Sequence, residues 1–135
     1  MRAGISRVLL VVLLFLLTHF ALAQQPADRV LGLMKSVVIP ASDAVFAVGK
    51  AAPKNNREWT AVEGGAAKLI DAGKALATEA PAAGGANWIK LANAMSDAAG
   101  IAGKAAKDKN VDAVLEAGDV LYTTCDDCHR QYVKK

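Results

Sequence analysis

The chain has 135 residues, of which 53% are hydrophobic and only 5% aromatic. Two of the 16 basic residues and none of the 13 acidic ones fall in residues 1–23, so the remainder carries a net charge of +1 and gives no support to a nucleic-acid or polyanion partner. The two cysteines lie three residues apart near the C-terminus, which argues against a disulfide framework joining distant segments.

Residues 1–23 read as a secretory signal peptide. Arg2 and Arg7 form a basic start, Val8 to Leu17 is an uninterrupted apolar run, and Ala21-Leu22-Ala23 supplies a small-x-small pattern before Gln24. The run is shorter than the ~20 residues a bilayer span needs, and no cysteine follows to carry a lipid. Cleavage after Ala23 is expected to leave residues 24–135 as one domain in the periplasm, an oxidising compartment, with no stable membrane anchor.

From there on, apolar residues recur in alternating steps of three and four, the signature of helices packed at shallow angles. The first helix is expected over 27–48, with Leu31, Met34, Val38, Ala41, Val45 and Val48 as its inner seam. Pro40 lies inside it and should kink it, because the bond to the Ser36 carbonyl cannot form. Gly49 can close this helix in a left-handed cap, Pro53 blocks continuation, and Asn56 can cap the next helix. The second helix is expected over 57–80, on Trp59, Val62, Ala66, Leu69, Gly73 and Leu76. After Pro81 and Gly84-Gly85, the third covers 87–106, on Trp88, Leu91, Met95, Ala98, Ala102 and Ala105. Asn110 then caps a fourth over 111–134, on Val111, Val114, Gly118, Leu121, Cys125, Cys128 and Tyr132. Four amphipathic helices with short links predict an all-α, antiparallel up-down-up-down four-helix bundle. Its seams are unusually rich in Ala and Gly, so the bundle either packs very closely or leaves room for something large.

The fourth helix carries the chemistry. Cys125-Asp126-Asp127-Cys128-His129 is a C-x-x-C-H haem attachment sequence. Positions i, i+3 and i+4 share one helix face, so two thiols a turn apart can add across the two vinyl groups at a porphyrin edge. His129 can then offer an imidazole nitrogen to the iron, while Asp126 and Asp127 fall on the outward side. A structural zinc site normally needs four Cys or His ligands, and residues 24–135 hold two Cys and one His. A thioredoxin-like pair would sit near a βαβ pattern, and none is visible. The expected cofactor is one covalent haem c, held through Cys125 and Cys128 with His129 on the iron. Arg29, Lys35 and Arg130 are candidates to neutralise haem propionates, although long basic residues on helices are usually just solvated. Tyr122, one turn before the cysteines, is expected to pack on the ring. Trp59 and Trp88 read as core.

These residues resemble the class II c-type cytochromes, the cytochrome c′ group and its low-spin relatives. The likeness is carried by Gly118-Asp119-Val120, by Cys125 to His129, and by Tyr132 with the terminal lysines. Trp88 at the start of the third helix and the stretch Pro40 to Asp43 add to it. The resemblance covers residues 24–135 in architecture and is strong in sequence over the last twenty or so. It implies an exported four-helix bundle that transfers single electrons to and from periplasmic redox partner proteins, and not an enzyme. It also implies the option of a homodimer, though no seam is left over for a second copy.

The sixth iron position decides between two functions. With His129 alone the iron would bind NO or CO, as in cytochrome c′ proper. With a methionine opposite, the higher potential of Met/His ligation suits electron transfer. Met34 and Met95 are the candidates, about 10 and 12 Å from their helix starts at 1.5 Å per residue, which does not separate them. The resemblance breaks the tie: low-spin relatives draw their methionine from the first helix, which implies Met34 as the second axial ligand.

Overall fold

The three-and-four spacing is realised as helix throughout. The computed structural model describes residues 26–81 and 83–133, and no strand occurs among them. The segment read as a signal peptide lies outside the described residues.

Helix α1 is one continuous helical run built from four pieces. These are an α-helical segment Pro26–Leu33, a π-helical turn Met34–Val38, an α-helical segment Ile39–Phe46 and a closing 3-10 turn Ala47–Gly49. It is followed by α2 (Asn56–Thr78), α3 (Gly85–Lys107) and α4 (Val111–Tyr132). Each helix packs on the next, and α4 returns to the C-terminal half of α1, which makes a four-helix bundle.

The helix ends follow from local chemistry, with two departures from expectation. Asn55, not Asn56, caps α2: the Glu58 N–H donates to Asn55 Oδ1 at 3.0 Å, and Asn55 Nδ2 donates to Glu58 Oε1 at 2.7 Å. The expected left-handed cap at Gly49 is replaced by the 3-10 turn, and positive φ occurs among the described residues only at Gly85 and Lys109. At Lys109 (φ 54°) α3 closes in a Schellman motif, with Lys109 N–H donating to Ala106 O and Asn110 N–H to Ala105 O. Asn110 caps α4 as expected, accepting from the Ala113 N–H at 3.0 Å.

The predicted seams of α2 are buried at every position, and those of α3 at all but Leu91, which is half-buried. Along α1 the agreement holds from Val38 onward and is partial upstream, where Met34 still packs against the core but Leu31 is 51% exposed, and Val30 and Leu33 pack there as well. The π turn lies between the two regions. Its extra residue shifts the inner face by one position, and this is the form the expected disruption at Pro40 takes.

Small core residues act where α2 meets its neighbours. On one side they let helices touch: a Cβ added at Gly73 would lie 2.7 Å from the Ala92 carbonyl oxygen and 2.1 Å from Ser96 Oγ, and one at Gly65 would lie 2.7 Å from the Ala41 carbonyl oxygen. On the other side α1 and α4 diverge from one another toward the N-terminus of α1, and the space between them is walled mainly by large residues such as Met34, Val38, Trp88, Leu91 and Met95. Among the described residues α1 is also the one helix long and apolar enough to cross a membrane by length and composition. In this fold it supplies Val38, Ala41, Val45 and Val48 to the bundle core and turns Leu31 and Ile39 toward the open side.

Candidate functional site

The C-terminal turns of α4 carry the C-x-x-C-H motif, and they are held in place by a polar and aromatic clamp. Tyr132, three residues after His129, donates its hydroxyl to the Gly84 carbonyl at 3.1 Å. Its ring meets Trp88 edge-on with centroids 5.0 Å apart. Asn87 Nδ2 donates to Gln131 Oε1 at 2.6 Å and lies 3.3 Å from the Tyr132 hydroxyl. Trp88, itself buried, donates Nε1–H to the Leu76 carbonyl at 2.6 Å. The end of α4 is thereby tied to the α2–α3 turn. Sequence reasoning found Trp88 and Tyr132 as seam residues but missed Asn87 and Gln131, which carry no periodic signal.

Between the motif and the N-terminal half of α1 lies a cavity of 550 Å³, within the ~300–1,000 Å³ typical of small-molecule and cofactor sites. Cys125, Cys128 and His129 line it from α4, and Met34 lines it from the π turn of α1. Trp88, Leu91 and Met95 form its floor on α3. All four residues predicted at the site therefore face one space. Cys125, Cys128 and Met34 are half-buried, while His129 is exposed at the rim. Met95, the other methionine considered, reaches the same cavity from a fully packed position.

Electrostatics separate the possible roles of the cysteines. Burial pushes both thiols above the ordinary thiol range, and for Cys125 the neighbouring Cys128 adds to the effect. Both are free thiols, and neither has the electropositive surroundings of a redox nucleophile. No group of three or more His, Cys, Asp and Glu among the described residues is arranged to hold a bare metal ion.

Other expectations need correction. Asp126 does not point simply outward: it lines the cavity edge and pairs with Arg130, Nε to Oδ2 at 3.4 Å. Arg130 also bonds Asp127, one turn away on the same helix. Arg29 pairs with Glu79 at 2.8 Å and ties the start of α1 to the end of α2. Of the three basic residues considered for propionates, Lys35 alone lines the cavity. Tyr122 borders it while 64% exposed.

The residues present suit a haem in donor chemistry and in space. Two thiols and an imidazole at i, i+3 and i+4 border an apolar cavity large enough for a cofactor, and a thioether faces it from a different helix. No protein-family model, curated protein or solved structure matches the chain.

Proposed function

We propose that this chain is an exported c-type cytochrome that transfers single electrons between periplasmic redox proteins. Cys125 and Cys128 would hold one haem c through thioether bonds, and His129 and Met34 would bind its iron. The observation that carries the reading is the convergence of the C-x-x-C-H motif and Met34 on one apolar cavity.

When bound, the haem supplies a one-electron ferric/ferrous couple. The chain's own residues do the rest. Cys125 and Cys128 stand one turn apart on the cavity wall as free thiols, each of which would add its S–H across one vinyl group. The clamp at Tyr132 fixes the last turns of α4 and with them the direction of His129. Met34 offers a soft thioether, whose ligation beside histidine raises the potential relative to bis-histidine sites. Leu31, Val38, Leu91 and Trp88 make the wall apolar, and Lys35 at the rim supplies a positive charge for a propionate. The periplasmic location rests on the signal-like pattern of residues 1–23.

The test is spectroscopic. The purified exported protein should carry a haem that survives acid denaturation. Its spectra should be low-spin in both oxidation states and unmoved by CO. Met34→Ala should turn the spectrum high-spin and admit CO, whereas Met95→Ala should leave ligation intact. Folded, abundant protein without covalent haem would refute the proposal. A high-spin wild type that binds CO would make it a five-coordinate gas-binding protein instead.

A further inference from the structure

α1 departs from α-geometry beside the cavity, and the departure has an identifiable cause. The Ile39 N–H donates to the Met34 carbonyl, five residues back, so the turn Met34–Val38 holds one residue more than an α-helical turn. Just downstream, Pro40 has no N–H to give the Ser36 carbonyl, and in α-geometry its ring would press on that same oxygen. Ser36 reinforces the effect: its hydroxyl donates to the Gly32 carbonyl at 2.8 Å, a back-bond that bends helices.

One extra residue rotates everything upstream by about 100°, at 3.6 residues per turn. Burial records that rotation. Val38, Ala41, Val45 and Val48 keep their steps of three and four, and an unbroken helix would continue them inward at Met34 and Leu31. Instead Leu31 is 51% exposed, and Val30 and Leu33, one position early, join Met34 in packing against the core. Met34 is carried from the middle of the inner face to its edge, on the cavity wall with Leu31 and Lys35. In an unbroken helix, position 35 would occupy the angular place that position 34 holds across the π turn.

We propose that Pro40 is a positioning residue for the iron: through the π turn it sets the rotational phase of α1 that presents Met34 to the cavity. The inference rests on the proposed ligation by Met34 and adds the device that makes it possible. Pro40 itself lies outside the cavity lining, so it acts only through the helix.

The experiment uses the full-length exported protein and three variants, each checked for covalent haem by mass and for helix by circular dichroism. Wild type should be low-spin. Pro40→Ala should keep its haem and its helical content, yet become high-spin and bind CO. Adding Met34→Leu and Lys35→Met to Pro40→Ala should restore the low-spin spectrum and abolish CO binding, because the methionine is returned to the phase that straightening removed. A Pro40→Ala protein that remains low-spin and loses that state on Met34→Ala overturns the inference while leaving Met34 ligation intact. A high-spin Pro40→Ala protein that Lys35→Met fails to rescue overturns the rotational account. A high-spin wild type instead removes the ligation on which the inference stands.

Discussion

Single residues decide how closely these helices approach. Gly73 and Gly100 are both helix-interior glycines, and by intrinsic propensity each should gain about 1 kcal/mol on replacement by alanine. Their surroundings differ. A Cβ at Gly100 meets nothing within 4 Å, whereas one at Gly73 would press on the Ala92 carbonyl oxygen at 2.7 Å, a backbone atom that cannot swing aside. Gly100→Ala should therefore stabilise the protein by about 1 kcal/mol. Gly73→Ala should destabilise it by about 1–3 kcal/mol through overpacking. Denaturant titrations of the two variants check the opposite signs. Glu58 offers a second test at this scale. Its carboxylate accepts from the Lys54 N–H and from Asn55 Nδ2, both at 2.7 Å, and the Lys54 bond is the main cause that holds its pKa below the ordinary glutamate value. A depressed folded pKa means stability that is present above the ordinary value and lost as pH falls through the folded one. Glu58→Gln should be less stable than wild type near neutrality, and thermal melts of the two should converge in acid.

At the scale of elements, much was legible in the sequence. The four helices, their order and the buried seams of α2 and α3 follow from apolar spacing and from caps such as Asn110, because these signals are local. The convergence of Cys125, Cys128 and His129 on one helix face follows from i, i+3, i+4 geometry. Three features were not legible, each for a physical reason. The sequence around Pro40 announces a disruption but not its form, since a kink and a π turn relieve the same missing bond. Leu31 was therefore assigned to the inner face and lies largely outside it. Asn55 and Asn56 are chemically equivalent caps, and the choice between them is made by Glu58, three residues after Asn55. The clamp of Asn87 and Gln131 joins residues 44 apart, beyond the reach of any periodicity.

For the whole molecule, the cavity ties stability to what occupies it. It is an apolar cleft bordered by the exposed Leu31, Ile39 and Tyr122, so its empty wall is apolar surface left in contact with water. Without a cofactor, either water fills the space or α1 and α4 collapse into it. The proposed haem would cover that wall and add stability by binding only the folded state. Protein produced without haem attachment should bind a hydrophobic dye and lack a sharp thermal transition. A cooperative melt close to that of the haem-loaded protein would refute this dependence.

The contrast between the tight contact of α2 with α3 and the gap between α1 and α4 bears on the order in which the chain matures. α2 and α3 are adjacent in sequence, joined by a short turn, and meet through Gly73, Ala92 and Ser96 with almost no intervening side chain. Contacts of this local kind form early, because little chain entropy is lost in closing them. The walls contributed by α1 and α4 come from the first and last of the four helices, and by the same argument would meet last. If the chain is the proposed cytochrome, the cleft would stay accessible to the attachment machinery after the α2–α3 hairpin has formed, and both cysteines would be reached before the bundle shuts. Amide hydrogen exchange should accordingly rank protection highest along α2 and α3 and lowest at Pro26–Leu33 and the last turns of α4, with the haem-free protein widening that difference.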